Sequence, residues 1–184
     1  MIGNKSEKNP KLLMDLAKKG DNNAFAELYD MYFKPVFRYI YLRLKNKRDS
    51  EDLAQTVFLK FYKSVSGFRE KGKSPLAYFF TIARNSIIDF WRKKKEVRLE
   101  DVEEAMEQTP AAEDTQSEVL RDEAAGAINK TLENLSEEQQ EVIILKFMNE
   151  LTNKEIAGLL GKNEEAVRQL QCRALKLLKQ HLKK

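Results

Sequence analysis

Between Glu96 and about Gln116 the apolar periodicity that runs through most of this chain stops. Acids, the run Gln108-Thr109-Pro110 and small residues replace it, and a stretch with no apolar face has nothing to contribute to a core. The 184 residues are therefore expected to form two small units, each with its own core, with like charges extending the segment that joins them. That segment also skews the charge: from Glu100 to Glu123 it holds about ten acids and one base, so a net charge of +4 conceals roughly +13 on the remainder. A basic fold with a pI near 9.0 points to a polyanionic partner, nucleic acid before anionic membrane, although charge serving only solubility gives the same number.

The residues also exclude several classes. Cys172 is the only cysteine, so an intramolecular disulfide and a cysteine-based zinc site are both ruled out, and a reducing cytoplasm fits. Met1 to Pro10 is polar, without the apolar run of a signal peptide, and no stretch has the length of a membrane span. His181 is the only histidine and sits in a basic tail, no Gly-rich phosphate loop occurs, and the acids of the joining segment have no ordered frame for a metal. The expectation is a soluble, cytoplasmic protein that is not an enzyme, with no catalytic residue, cofactor or metal.

In the first half, Leu12, Leu13 and Leu16 form a short apolar face closed by Lys18-Lys19-Gly20-Asp21. Phe25, Leu28, Tyr29, Tyr32, Phe33, Val36, Phe37, Ile40 and Leu44 then recur at three- and four-residue steps, the stripe of a packed helix with Pro35 as a kink. Asp49 or Ser50 can cap the next helix, with Leu53, Val57, Phe61 and Val65 inward and Asp52, Gln55 and Lys60 off that face. After a loop from Gly67, Ser74 and Pro75 open a helix expected to reach about Lys95. Steps of about 100° put Leu76, Phe79, Phe80, Ala83, Ile87 and Phe90 on one side, and Thr81, Asn85, Asp89 and Arg92 on the other. From Lys60 to Lys95 about ten Lys or Arg stand against two acids, interleaved with aromatics. Such a mixture suits a surface that holds a phosphate backbone and stacks an unpaired base, and equally a helical core with a solvated basic rim.

Periodicity resumes with Val119, Leu120, Ala124, Ala127, Ile128, Leu132 and Leu135. Ser136 with Gln139 is a capping box, opening a helix with Val142, Ile143, Leu145, Phe147 and Met148 inward. Thr152 with Glu155 is a second box, so a new helix starts directly after Asn149-Glu150 and ends by Leu160-Gly161. Asn163 can cap a third helix, running from Glu164 toward Leu182. Two helices joined by a short glycine turn make a helix-turn-helix, whose second helix enters the DNA major groove. Val167, Leu170, Ala174, Leu177 and Leu178 make its buried side, leaving Glu164, Glu165, Arg168, Gln169, Cys172 and Arg173 outward. Arg can read guanine and Gln adenine, whereas the two glutamates either accept from cytosine or favour the helix start. An ordinary helical hairpin is the plainer alternative. The fold class is all-α: two small helical domains, 1–95 and 124–184, joined by an acidic flexible linker, 96–123, with the helix-turn-helix at the C-terminus.

Four ordered stretches together resemble a known family: Asp49-Ser50-Glu51-Asp52-Leu53-Ala54-Gln55-Thr56-Val57-Phe58, the loop Ser66-Gly67-Phe68-Arg69, Ala83-Arg84-Asn85 with Asp89-Phe90, and Leu135-Ser136-Glu137 through Arg173-Ala174-Leu175. They are similar to the second and fourth conserved regions of bacterial sigma-70 factors, in the compact extracytoplasmic-function arrangement. The resemblance implies a monomer that binds core RNA polymerase through the β′ clamp helices and the β flap. It also implies promoter recognition and DNA melting, in a family where regulation by an anti-sigma partner is common. Polymerase contact falls to Asp52 and Gln55 with Phe58, and Thr56 replaces an acid often seen there. Binding of the −10 element falls to Phe68, Arg69, Lys71, Lys73 and Ser74 in the loop and to Asn85, Asp89, Arg92 and Lys93 on the helix. Reading of the −35 element falls to Arg168, Gln169, Cys172 and Arg173, with Glu164 and Glu165 at the helix start. Leu170 and Gln171 depart from the commoner choices at their places. A free-standing helix-turn-helix regulator of duplex DNA is the alternative; it has no use for the aromatic-basic loop and the Asn85 stripe.

Overall fold

Residues 9–68, 74–100 and 132–181 are described by the computed structural model, the side chains of 97–100 excepted, and all regular structure among them is helical. Contacts divide the chain into two units, Met1–Ser86 and Ile87–Lys184. That division falls inside a continuous helix, nine residues before the boundary at 95 that composition suggests. The acidic linker from 101 onward, the apolar period at Val119 to Ile128, and the loop cations Arg69, Lys71 and Lys73 lie outside the described residues.

Each N-terminal helix starts where a side chain satisfies its first amides. Asn9 accepts from the Lys11 amide to open α1 (Pro10–Lys18), and the Asp21 carboxylate accepts from Asn23 and Ala24 to open α2 (Asn22–Leu44). Between them Gly20 takes φ +87°, a turn that a side chain would strain. Despite its internal proline, α2 continues through Pro35 to Leu44. The cap of α3 (Lys47–Ser64) is Asn46, which accepts from the Asp49 amide at 2.9 Å, rather than Asp49 or Ser50. Ser50 is instead fully buried, its hydroxyl donating to the Asn46 carbonyl. A 3-10 turn, Val65–Gly67, follows α3. Ser74 and Pro75 open α4 (Pro75–Glu100) as expected, the Ser74 hydroxyl accepting from the Ala77 amide at 3.2 Å.

An aromatic cluster fills the core of the first unit. The Phe58 ring lies 4.7 Å from Tyr29, 5.9 Å from Phe33 and 4.9 Å from Phe79, and Phe61 lies 4.2 Å from Phe79. Tyr39, absent from the periodic stripe, is fully buried against Phe80 at 5.1 Å. The inward faces are rotated slightly from those that periodicity alone places. In α1, Leu13, Met14 and Ala17 are buried while Leu12 is 57 % exposed; in α3, Ala54 and Phe58 go in and Leu53 is half-buried. Helix α4 buries Ala77, Phe79, Phe80, Ala83, Ser86 and Ile87, leaving Leu76 and Phe90 half-buried.

The second unit closes on both expected capping boxes. Ser136 and Gln139 exchange hydrogen bonds at the start of α5 (Glu137–Ile143), and Thr152 and Glu155 do the same for α6 (Asn153–Leu160). A π turn, Ile144–Met148, ends α5, with the Asn149 side chain donating from Nδ2 to the Ile144 carbonyl at 3.0 Å. This wider turn breaks the regular angular step, so Ile144 goes inward and Phe147, expected in the core, is 54 % exposed. Gly161 takes φ +66°, the left-handed cap that ends α6, and Asn163 accepts from the Ala166 amide at 2.7 Å to start α7 (Glu164–His181). Both α5 and α6 pack on α7, around Val142, Leu145, Ile156, Val167 and Ala174.

Candidate nucleic-acid and polymerase interfaces

Three exposed faces carry the residues singled out from the sequence. On α3, Asp52 and Gln55 are exposed, whereas Phe58 is only 3 % exposed and sits in the aromatic core. Phe58 therefore packs beneath that face and supports it from within. Sequence reasoning missed two apolar side chains on the exposed side of the same helix: Leu59 is 61 % and Tyr62 53 % exposed. Asp52, Gln55, Leu59 and Tyr62 follow i, i+3, i+7, i+10, a seam suited to a partner helix, and that spacing was legible in the chain.

The second face is the outer side of α4 with the root of the preceding loop. Asn85 is exposed, as are Arg92 and Lys93. Asp89 accepts from Arg92 at 3.2 Å, a solvent-exposed pair that holds little energy and can be exchanged for a phosphate contact. Lys94 lies 5.7 Å from both the Phe90 and Trp91 rings, and Trp91 is 45 % exposed, so an aromatic surface lies beside the basic run. Ser74 is used as the cap of α4. Phe68, expected to meet an extruded base, is instead 8 % exposed: its ring packs 4.7 Å from Tyr78 under the Lys18 ammonium, 5.4 Å away. Tyr78 in turn shares a 2.8 Å hydrogen bond with Ser64. Phe68 itself is thus held against Lys18 of α1 and Tyr78 of α4.

The third face is the outer row of α7, where Glu164, Glu165, Arg168, Gln169, Cys172 and Arg173 are all exposed. Arg168 donates from Nε and Nη2 to one Glu165 oxygen, at 3.0 and 2.9 Å, which directs its guanidinium along the row. Val167 and Ala174 are buried on the opposite side, with Leu170, Leu177 and Leu178 at its margin. Two links within this unit were not legible beforehand: Lys162 to Glu138 at 2.8 Å, and the Gln171 amide donating to Asn153 Oδ1 at 2.9 Å. Among the described residues no group of His, Cys, Asp and Glu could hold a metal ion, and no helix is long and apolar enough to cross a membrane.

Known proteins show the same two-part organisation. The family model for sigma-70 region 2 matches residues 28–97, and that for sigma-70 region 4 matches 125–178. The chain is 34% identical over 169 residues to the ECF RNA polymerase sigma factor BldN of Streptomyces coelicolor, covering 90% of this chain and 63% of that longer relative. It is 30% identical over 164 residues to the ECF RNA polymerase sigma factor SigX of Bacillus subtilis, covering 86% of this chain and 83% of the relative. Its fold is similar to that of the sigma factor RpoE of Bartonella quintana, solved with the anti-sigma factor NepR, with a TM-score of 0.67 at 23% identity, over 86% of this chain and 96% of that one.

Proposed function

The chain belongs to the sigma-70 family of RNA polymerase sigma factors, in its extracytoplasmic-function class, and on that premise we propose how its three faces divide the work of promoter opening. The exposed side of α3, through Asp52 and Gln55, docks on the clamp helices of core polymerase. The row on α7 enters the major groove of the −35 element, where Arg168 and Arg173 are suited to guanine and Gln169 to adenine. The loop before α4 and the stripe of Asn85, Asp89, Arg92 and Lys93 hold the non-template strand of the −10 element. Unstacking a base costs a few kcal/mol, which phosphate contacts along this basic stretch and stacking worth about 1–3 kcal/mol per base offset. With Phe68 packed into the loop root, base capture falls to loop residues and the α4 stripe around that anchor. Catalysis belongs to the polymerase, and the site of action is the cytoplasm. Family membership also supports an anti-sigma partner that acts by covering one of these faces.

The observation that carries this reading is the pairing, in one chain, of a duplex-reading helix with an exposed Asn85 stripe on a basic-aromatic helix. A regulator that binds duplex alone needs only the first. The test is reconstitution with core polymerase. Purified chain is expected to co-migrate with the core enzyme and to support promoter-dependent transcription; failure of either ends the sigma reading for this chain. Arg168→Ala is expected to weaken upstream duplex recognition with polymerase binding intact. Asn85→Ala is expected to slow open-complex formation on duplex promoters, and a pre-melted template separates a melting defect from lost base recognition.

A further inference from the structure

Gln171 lies on the DNA-reading helix, yet its amide is turned inward. Nε2 donates to Asn153 Oδ1 at 2.9 Å, a partly buried bond between residues 18 apart in sequence. Asn153 is the first residue of α6, directly after the Thr152 cap, so the bond ties the middle of α7 to a helix start whose own geometry is fixed by its capping box. By helical spacing Gln171 is one turn from both Val167 and Ala174, at the edge of the buried side, and one turn from Arg168 on the outer row.

Apolar packing alone leaves the roll of α7 about its own axis loosely set. Its only fully buried residues are Val167 and Ala174, both small, and burial of such surface is non-directional. A hydrogen bond is directional. With a guanidinium about 7 Å from the helix axis, a roll of about 20° displaces it by about 2–3 Å, more than the distance range of a hydrogen bond tolerates. We infer that Gln171 is a positioning residue for promoter recognition: its bridge to Asn153 fixes the roll of α7, and with it the register of Arg168, Gln169 and Cys172 against the bases. This rests on the reading of α7 as the −35 recognition helix. Gln171 contacts no base in this scheme, and its effect passes through the outer row.

The experiment uses the full chain assembled with core polymerase. Duplexes enriched by the wild-type holoenzyme from a library randomised over the upstream element provide the probe, and a scrambled upstream element provides the reference. Gln171→Leu and Asn153→Ala are each expected to reduce the preference for the enriched over the scrambled duplex about fivefold, the scale of one net hydrogen bond. Binding of the scrambled duplex should stay near wild type, and the thermal midpoint should fall by no more than the several degrees that loss of about one hydrogen bond produces in a small domain. The double variant should lose no more than either single one, as residues joined in one interaction do. Asn153→Asp keeps an acceptor for Gln171 and should retain the preference even where its charge weakens all binding. Additive losses, equal losses on both duplexes, or a changed preference at a single base pair would each overturn the positioning role, the last by making Gln171 a direct reader. A wild-type holoenzyme that enriches no upstream sequence would instead remove the −35 reading itself, and the bridge would have no register to set.

Discussion

At the scale of single residues, burial separates what a motif marks from what a partner can touch. Asp52, Gln55 and Phe58 lie in one motif, but only the first two reach solvent. Phe58→Ala is therefore expected to destabilise the first unit by about 3–5 kcal/mol, measured by urea unfolding. Gln55→Ala is expected to change stability by less than about 0.5 kcal/mol while weakening association with core polymerase. A Phe58 variant of normal stability with lost polymerase binding would reverse this assignment. Tyr32 makes a second residue-scale case. Burial pushes its phenol from 10.0 up to about 12, because the charged form would be stranded in the core. In the unfolded chain the phenol ionises near pH 10, whereas the folded chain keeps its proton until about pH 12. The contribution is complete below pH 10 and is lost as pH rises between those values, by about 2–3 kcal/mol in all. Urea midpoints measured across this range should fall in the wild type, and Tyr32→Phe should remove that part of the slope.

At the scale of elements, the signals that were readable are those written in local chemistry. Ser136 with Gln139, Thr152 with Glu155, Asn163, and Ser74 with Pro75 each mark a helix start, because the orphan amides of a first turn need a partner that is close in sequence. What periodicity could not give is set by tertiary packing. The fixed angular step fails after Ile143, where the π turn sends Phe147 outward, and it misplaces Leu12 and Tyr39, whose burial depends on which neighbour packs beside them. Side-chain bridges such as Gln171 to Asn153 are equally illegible, since they need two helices already in place. Gly161 tests the local class. An added Cβ would meet nothing within 4 Å, so the cost of substitution is that of the backbone at φ +66° alone. Gly161→Ala is expected to destabilise the second unit by about 1 kcal/mol, and Gly161→Asn by less, since asparagine tolerates the left-handed region. Equal losses for both, read from urea midpoints, would indicate a steric rather than a conformational origin.

At the scale of the whole molecule, a stretch without an apolar face cannot share in a core, so composition leads to two helical units; two are found, with the contact boundary inside α4 at Ser86. The same stretch sets the balance of charge. The net +4 of the chain is the difference between roughly +13 outside Glu100 to Glu123 and about −9 within it. DNA binding by basic side chains is driven by release of counterions from phosphates, and tethered carboxylates compete with those phosphates for the same cations. Replacing the acids of that stretch by their amides removes the competition and leaves the basic side chains themselves unchanged. The free variant is expected to bind a non-promoter duplex about tenfold more tightly at moderate salt, with the difference shrinking as salt screens both. Fluorescence anisotropy over a potassium chloride series measures this. An unchanged affinity at low salt would mean that the carboxylates do not reach the basic faces. With core polymerase present, the expected cost of the substitution is discrimination: tighter holoenzyme binding to non-promoter DNA with little gain at promoters, because the added attraction is blind to sequence.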